Sequence, residues 1–359
     1  MTGTGKQDGR QLEWLDYARY AAAMAVLCYH YFANGPRAGK TGGHVDFGWV
    51  TPVAEYGYLG VDLFFIISGY VVLYSALGRG PDRFAVSRFV RLWPTFFVCM
   101  TLTAIIKTLA PPGGDAVTPV QYAGNLTMVP AWLGFRPVDG VYWTLAYELV
   151  FYAALFVILV VGQLHRLKGL LVGWTVLLLA VRIGERLFDL PNIPLLGTYF
   201  ELFAAGSLLA VVRGRGWKPW STICMAVLVA MCVDGAIQRA VPMAAERPLE
   251  PWIAGLVVGL LFLPFFAIRG NGPRLPWARH LGRITYPLYL LHAQIGFAVL
   301  NLLPMNSWLA VATTTVVVTV LATVVYLGFE ETTQGLRIRW ADATFGAAVR
   351  WVQGRFARP

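Results

Sequence analysis

The chain has 359 residues, of which 57% are hydrophobic and only 13% charged, with a mean hydropathy of +0.59; a soluble globular domain carries about 25% charged residues. These figures exclude a soluble enzyme and predict an all-α, polytopic membrane protein, with no polar stretch long enough to build a separate core. The formal charge of +10 raises nucleic acid as a partner, but its distribution along the chain follows membrane topology, so no nucleic acid is expected.

The first eleven residues are polar. The run after them carries charges and lacks a small-residue cleavage site, so it reads as a retained first span and not as a signal peptide. Apolar runs of about 17 to 25 residues cross a bilayer as helix. Ten are expected, near 12–33, 57–77, 89–110, 141–162, 169–187, 195–212, 219–236, 252–268, 284–303 and 307–329. The fifth and sixth are the weakest, because Arg182, Glu185, Arg186 and Asp189 crowd the turn between them. Proline and glycine mark the joints at 78–83, 109–115 and 269–276.

Ten spans put both termini on one side. Of the 29 Lys and Arg, 20 fall on that side and 7 on the other, which assigns both termini to the cytoplasm. A membrane domain over 1–335 is followed by a basic tail, 336–359, with Ile338, Ala341, Phe345, Val349, Val352 and Phe356 at helical spacing. That tail is expected to lie against membrane lipid as an amphipathic helix on the inner surface. Cys28, Cys99, Cys224 and Cys232 all sit in apolar runs without metal-ligand spacing, so buried thiols and no metal are expected.

An ionisable group inside a span is costly and by default functional, facing the bundle interior or a water-filled cavity. The candidates are Asp16, Arg19, His30, Asp62, Lys107, Glu148, Glu201 and His292. Arg19 and His30 are eleven residues apart, about 16 Å along a helix with a net rotation of about 20°, so both look into one groove. Asp62 and Glu148, on spans that descend from outside, are expected at the depth of His30, where a carboxylate holds the imidazole in one tautomer as a general base. At the cytoplasmic end, Arg83, Arg88 and Arg91 share the depth of Arg19, and guanidinium clusters favour phosphate. Plainer readings stand beside these: Arg88 and Arg91 as positive-inside anchors, Asp16 and Arg19 as an i, i+3 ion pair, His292 as a packed histidine bonded to a carbonyl, and Glu201 and Lys107 as snorkelling side chains.

The stretches "LDYARYAAAMAVLCYH", "GYLGVDLFFIISGY", "RFVRLWP", "YWTLAYELVFY" and "ITYPLYLLH" together resemble the acyltransferase-3 family of bacterial membrane O-acyltransferases, in family order over residues 12–292. The resemblance implies transfer of an acyl group, usually acetyl, from cytoplasmic acyl-CoA to a hydroxyl of an extracytoplasmic glycan such as exopolysaccharide or O-antigen, by a multi-pass protein of the bacterial cytoplasmic membrane. It implies His30 as the catalytic histidine with Arg19 as its partner, and Arg88 and Arg91 at the donor. Glu148 and Asp62 complete the candidate catalytic set, and Ser68 and His292 the candidate set for binding acetyl-CoA. Two departures are visible: Tyr17 stands where glycine is common, and Tyr147–Glu148–Leu149 replaces a more acidic version, leaving Glu148 as a lone carboxylate. A stand-alone membrane enzyme without a fused periplasmic SGNH-type domain is expected. A transporter or flippase with a proton-coupled pathway is the alternative that the intramembrane charges also fit.

Overall fold

The computed structural model describes residues 13–41, 47–110, 116–188, 197, 199–268, 272–273, 275–303 and 307–356, and among them every regular element is a helix. The main ones are α1 (Glu13–Tyr29), α2 (Gly60–Ala76), α3 (Pro81–Leu109), α4 (Trp143–Val160), α5 (Leu167–Leu187), α6 (Phe200–Arg215), α7 (Pro219–Ala244), α8 (Pro251–Leu261), α9 (Ala278–Leu291), α10 (Gln294–Leu302), α11 (Ser307–Val325), α12 (Thr332–Ala341) and α13 (Ala347–Phe356). Asp189, most of the joint at 109–115, part of that at 269–276 and the side chains of Val352 and Phe356 lie outside the described residues.

Among the described residues, six helical stretches are long and apolar enough to cross a bilayer: Val50–Ala76, Pro81–Leu109, Gly140–Val160, Gln163–Leu187, Pro219–Ala244 and Ser307–Trp351. The protein is therefore a polytopic, all-α membrane protein. The other four expected spans also form helices, each with a physical reason for falling short. α1 carries Asp16 and Arg19 within 17 residues, α6 has only 16 residues, Pro251–Ala267 is apolar but shorter, and the ninth run is broken between α9 and α10 at His292–Ala293.

α2 is the most buried of these six, and it packs on α6, which is buried throughout Phe200–Val212. In the apolar window of Val50–Ala76, 72% is buried, against 28–44% in the other five stretches. Its closest neighbour is α6, and glycines allow the approach: a Cβ on Gly69 would stand 2.3 Å from the Phe203 carbonyl oxygen, and one on Gly206 2.0 Å from that of Ile66. Small residues that bring backbones together are how helices pack where lipid removes the hydrophobic driving force.

Around this pair the buried charges neutralise one another. Both carboxylate oxygens of Asp62 accept from Arg239 of α7 at 2.8 Å, and that guanidinium lies 4.7 Å from the centre of the Tyr199 ring. Arg182 of α5 bridges Glu201 of α6 and Asp234 of α7, and Arg186 joins Asp234. Two expectations are corrected here. Asp62 spends both oxygens on Arg239 and does not orient the histidine, and Glu201 does not snorkel but is 3% exposed and paired. Lys107 likewise turns inward to donate to the Val138 carbonyl at 3.2 Å.

The C-terminal segment is helical. It continues α11 without a break through π turns at Tyr326–Glu331 and Asp342–Gly346, and it packs against the start of α3. Phe89 meets Trp340 and Phe345 at 5.8 and 4.5 Å between ring centres, and Arg350 reaches Asp82 at 3.3 Å.

Asp62→Ala is expected to destabilise the protein by about 3–5 kcal/mol, because it strands a buried guanidinium. Thermal unfolding of the purified protein in detergent reads this as a lowered transition temperature, and an unchanged transition would contradict the pairing.

Candidate active site

The site begins where α1 crosses α9. A Cβ on Gly282 would stand 2.5 Å from the Asp16 carboxylate, so this glycine makes room for a carboxylate that is itself 3% exposed. Asp16 Oδ1 accepts from Arg19 at 3.3 Å, the expected i, i+3 pair, while its Oδ2 has no partner. The ion pair does not retire Arg19 from the cleft. Two cavities, of about 570 and 550 Å³, share Asp16, Arg19, Arg88 and Arg91 in their walls. Arg88 is no outward-pointing anchor: its guanidinium packs 5.8 and 5.6 Å from the ring centres of Phe84 and Tyr152, one N–H donates to Ser87 Oγ at 3.1 Å, and its Nε has no acceptor. Arg91 is exposed and makes no hydrogen bond or ion pair among the described residues.

The first cavity continues from these arginines into the bundle between α1, α2, α4 and α9. Glu148 stands in its wall. Its Oε1 accepts from Ser68 Oγ of α2 at 2.8 Å and from Tyr152 Oη one turn along α4 at 3.1 Å. Ser68 thus holds the lone carboxylate in place, and Glu148 faces the arginines. Thr144, Phe64 and Tyr289 line the same cavity, with the Tyr289 hydroxyl bonded to Thr144 at 3.0 Å and to the Val141 carbonyl at 3.1 Å.

Tyr289 marks a boundary. Its ring meets Phe64 at 5.5 Å on one side and His292 at 5.6 Å on the other, and His292 in turn meets His30 at 4.9 Å. The bore expected to run openly from Arg19 to His30 therefore ends at Phe64 and Tyr289, and the two histidines lie behind that wall.

The backbone sets up the histidine pair. His30 opens the π turn His30–Asn34 that follows α1; such turns open the hydrogen-bond ladder and recur at functional sites. Across from it, the helix breaks after Leu291. The backbone groups left without helical partners are taken by side chains: Tyr31 Oη donates to the His292 carbonyl at 2.7 Å, and Asp139 accepts from the Gln294 N–H at 3.0 Å. His30 Nδ1 lies 2.8 Å from the Val26 carbonyl and His292 Nδ1 lies 2.7 Å from that of Tyr289. A carbonyl only accepts, so both Nδ1 atoms carry hydrogen. His292 Nε2 is then a lone pair, 3.3 Å from His30 Nδ1–H. His30 is left with its own Nε2 as a lone pair, without a partner among the described residues.

The structure thus brings together Arg19, Arg88, Arg91, Glu148 and Ser68 at one cavity and His30 with His292 beyond its end. The carboxylate expected beside His30 is absent from its contacts: Asp62 belongs to Arg239 and Glu148 to Ser68 and Tyr152, while His292, expected at the donor, touches His30. Sequence reasoning missed Tyr289, Tyr31 and Asp139. Their signal was weak, since a tyrosine or a loop aspartate has value here only because a helix break makes unpaired backbone groups, and that break is not visible in an unbroken apolar run.

Comparison with known proteins places the chain among relatives. The chain matches a peptidoglycan O-acetyltransferase, OatA, of Listeria monocytogenes with 25% identity over 171 residues, 42% of this chain and 25% of the relative. It matches a putative peptidoglycan O-acetyltransferase, YrhL, of Bacillus subtilis with 28% identity over 177 residues, 44% of this chain and 25% of the relative. The matched part is about a quarter of the length of these relatives. No solved structure matches. The acyltransferase-3 family profile, an acyltransferase domain, covers residues 12–327, and the chain belongs to that family of membrane acyltransferases.

Proposed function

We propose that this protein moves an acyl group, acetyl in the first instance, from cytoplasmic acyl-CoA to a hydroxyl of an extracytoplasmic glycan. The observation that carries the proposal is one line of groups: arginines at a cavity mouth, a cavity running inward, and a histidine with a bare Nε2 beyond it. Guanidinium groups suit the donor's phosphates through charge-assisted, bidentate hydrogen bonds. The pantetheine arm has an extended length comparable with the roughly 16 Å that eleven helical residues put between Arg19 and His30.

His30 Nε2 then accepts the proton of the acceptor hydroxyl as its oxygen attacks the thioester carbonyl. The carbon–sulfur bond breaks, and the departing thiolate takes up the proton. His292 and the Val26 carbonyl hold the imidazole so that Nδ1 keeps its hydrogen and Nε2 remains the base, the role expected for a carboxylate. The ring contact of Phe64 with Tyr289 has to part for the thioester to pass. Asp62 acts through stability and not at the reacting atoms.

Both termini are assigned to the cytoplasm by the excess of Lys and Arg on that side, with ten helical passes in the cytoplasmic membrane of a bacterium; the bacterial relatives support that location. Peptidoglycan is the acceptor in the names of both relatives. Exopolysaccharide and O-antigen present the same hydroxyl chemistry, and mass spectrometry of surface glycans from cells with and without the protein identifies the acceptor.

Three outcomes are expected. His30→Ala lowers acceptor-dependent thioester consumption about 10²- to 10⁴-fold, the usual contribution of a general base; full activity of the purified variant would overturn the assignment. Arg91→Ala raises the donor KM about tenfold with a smaller change in kcat, and the gap between variant and native protein narrows as salt rises; a fall in kcat alone would remove Arg91 from the donor site. A phosphatase reporter fused after residue 359 stays silent while one fused after residue 40 is active, and the reverse pattern would invert the topology.

A further inference from the structure

The family profile ends at residue 327, yet the second cavity does not. One of its walls is the arginine face of α1 and α3; the opposite wall comes from Glu330, Gln334, Arg337 and Ile338, on α12 and the π turn before it. Arg337 ties this wall down. Its Nη1 donates to the Val90 carbonyl, between Arg88 and Arg91, at 3.0 Å, and its Nη2 donates to the Glu330 carbonyl. No carboxylate forms an ion pair with it among the described residues: Glu330 is near enough to act on its charge, but that side chain accepts from Thr95 at 2.6 Å, and Asp342 is paired with Arg350 at 2.9 Å. The Nε of Arg337, like that of Arg88 across the cleft, is buried without an acceptor. The cavity is lined by six arginines against four carboxylates, Asp16, Glu330, Glu331 and Asp342, and that cationic excess, with an unmet donor on each wall, suits a polyanion.

We infer that α12 is a working part of the donor site, with Arg337 as the cationic contact through which the far wall of the cavity holds the phosphorylated nucleotide end of the donor. The inference deepens the proposed function and rests on an acyl-CoA donor. It adds to the site a helix that lies beyond the segment the family shares. The nucleotide then sits between α3 and α12, held from two sides at the mouth, while the thioester arm enters the first cavity past Arg19. Gln334, one turn before Arg337 on the same wall, is exposed and free of hydrogen bonds among the described residues, so charge placed there changes the field of the cleft without removing a bond.

The test uses the full chain in lipid nanodiscs, with CoA and pantetheine as probes in equilibrium binding. Arg337→Gln is expected to weaken CoA binding about tenfold, to leave pantetheine binding unchanged, and to flatten the salt dependence of CoA binding; Arg337→Lys retains most of the affinity. Gln334→Glu is expected to weaken CoA and Gln334→Lys to strengthen it, which keeps the test open should Arg337→Gln fail to fold. Native-like CoA affinity in Arg337→Gln, or the same affinity in both Gln334 variants, would overturn the inference while the donor assignment stood. Equal loss of CoA and pantetheine would reduce Arg337 to a structural tie and also overturn it. Absence of CoA binding by the native protein would overturn the donor assignment and this inference together.

Discussion

An ionisable side chain inside a lipid-embedded bundle has two tolerable fates, a partner or a polar cavity. That constraint sorts the charged residues of this protein into two populations. Asp62 with Arg239, and Arg182 and Arg186 with Glu201 and Asp234, tie α2, α5, α6 and α7 together with little charge left over. Arg19, Arg88, Arg91 and Glu148 instead share the wall of a cavity. The first group pins helices whose backbones meet closely at two glycines, Gly69 on Phe203 and Gly206 on Ile66, with no room for a Cβ at either.

The chemistry follows from where the backbone is irregular. A π turn starts at His30 and a helix break follows Leu291, and the two irregularities face each other across the bundle. Irregular backbone at membrane depth persists only where protein groups satisfy it; Tyr31 and Asp139 do so here. The result is a neutral imidazole fixed from its Nδ1 side by a carbonyl and a second imidazole, with Nε2 free. The arginines line the cavity and the imidazole lies beyond its inner end, with Phe64 and Tyr289 between them; the proposed function puts phosphate recognition at the first and proton abstraction at the second.

Much of this was legible in the residues. Hydropathy shows an all-α membrane protein, and the arginine spacing of "RFVRLWP" together with Arg19 marks one end of the cleft. The Arg19–His30 interval places the histidine far from that end on the same helix. The errors share one cause. Depth along a helix can be read from the chain, but rotation and partner cannot, so Asp62 and Glu148 were both set beside His30 because they lie at a suitable height. Asp62 faces α7 instead, and Glu148 is held by Ser68 and Tyr152 in the cavity wall. The partner of Arg239 and the value of His292 depend on which helices adjoin, and that information resides in packing between segments about 180 and 260 residues apart. The tail was read as an amphipathic helix on the inner surface because its composition is basic and amphipathic; its packing on Phe89 of α3 was not visible in the chain.

The central claim is that an acyl group crosses the bundle while its carrier stays behind. Proteoliposomes with the protein reconstituted in one orientation, acyl-labelled and nucleotide-labelled acetyl-CoA supplied at the arginine face, and a glycan acceptor sealed on the other side test it most directly. Acetyl label on the enclosed acceptor, with all nucleotide label retained outside, is the expected result. Nucleotide label inside the vesicles, or acetylation only of acceptor placed on the same side as the donor, would contradict it.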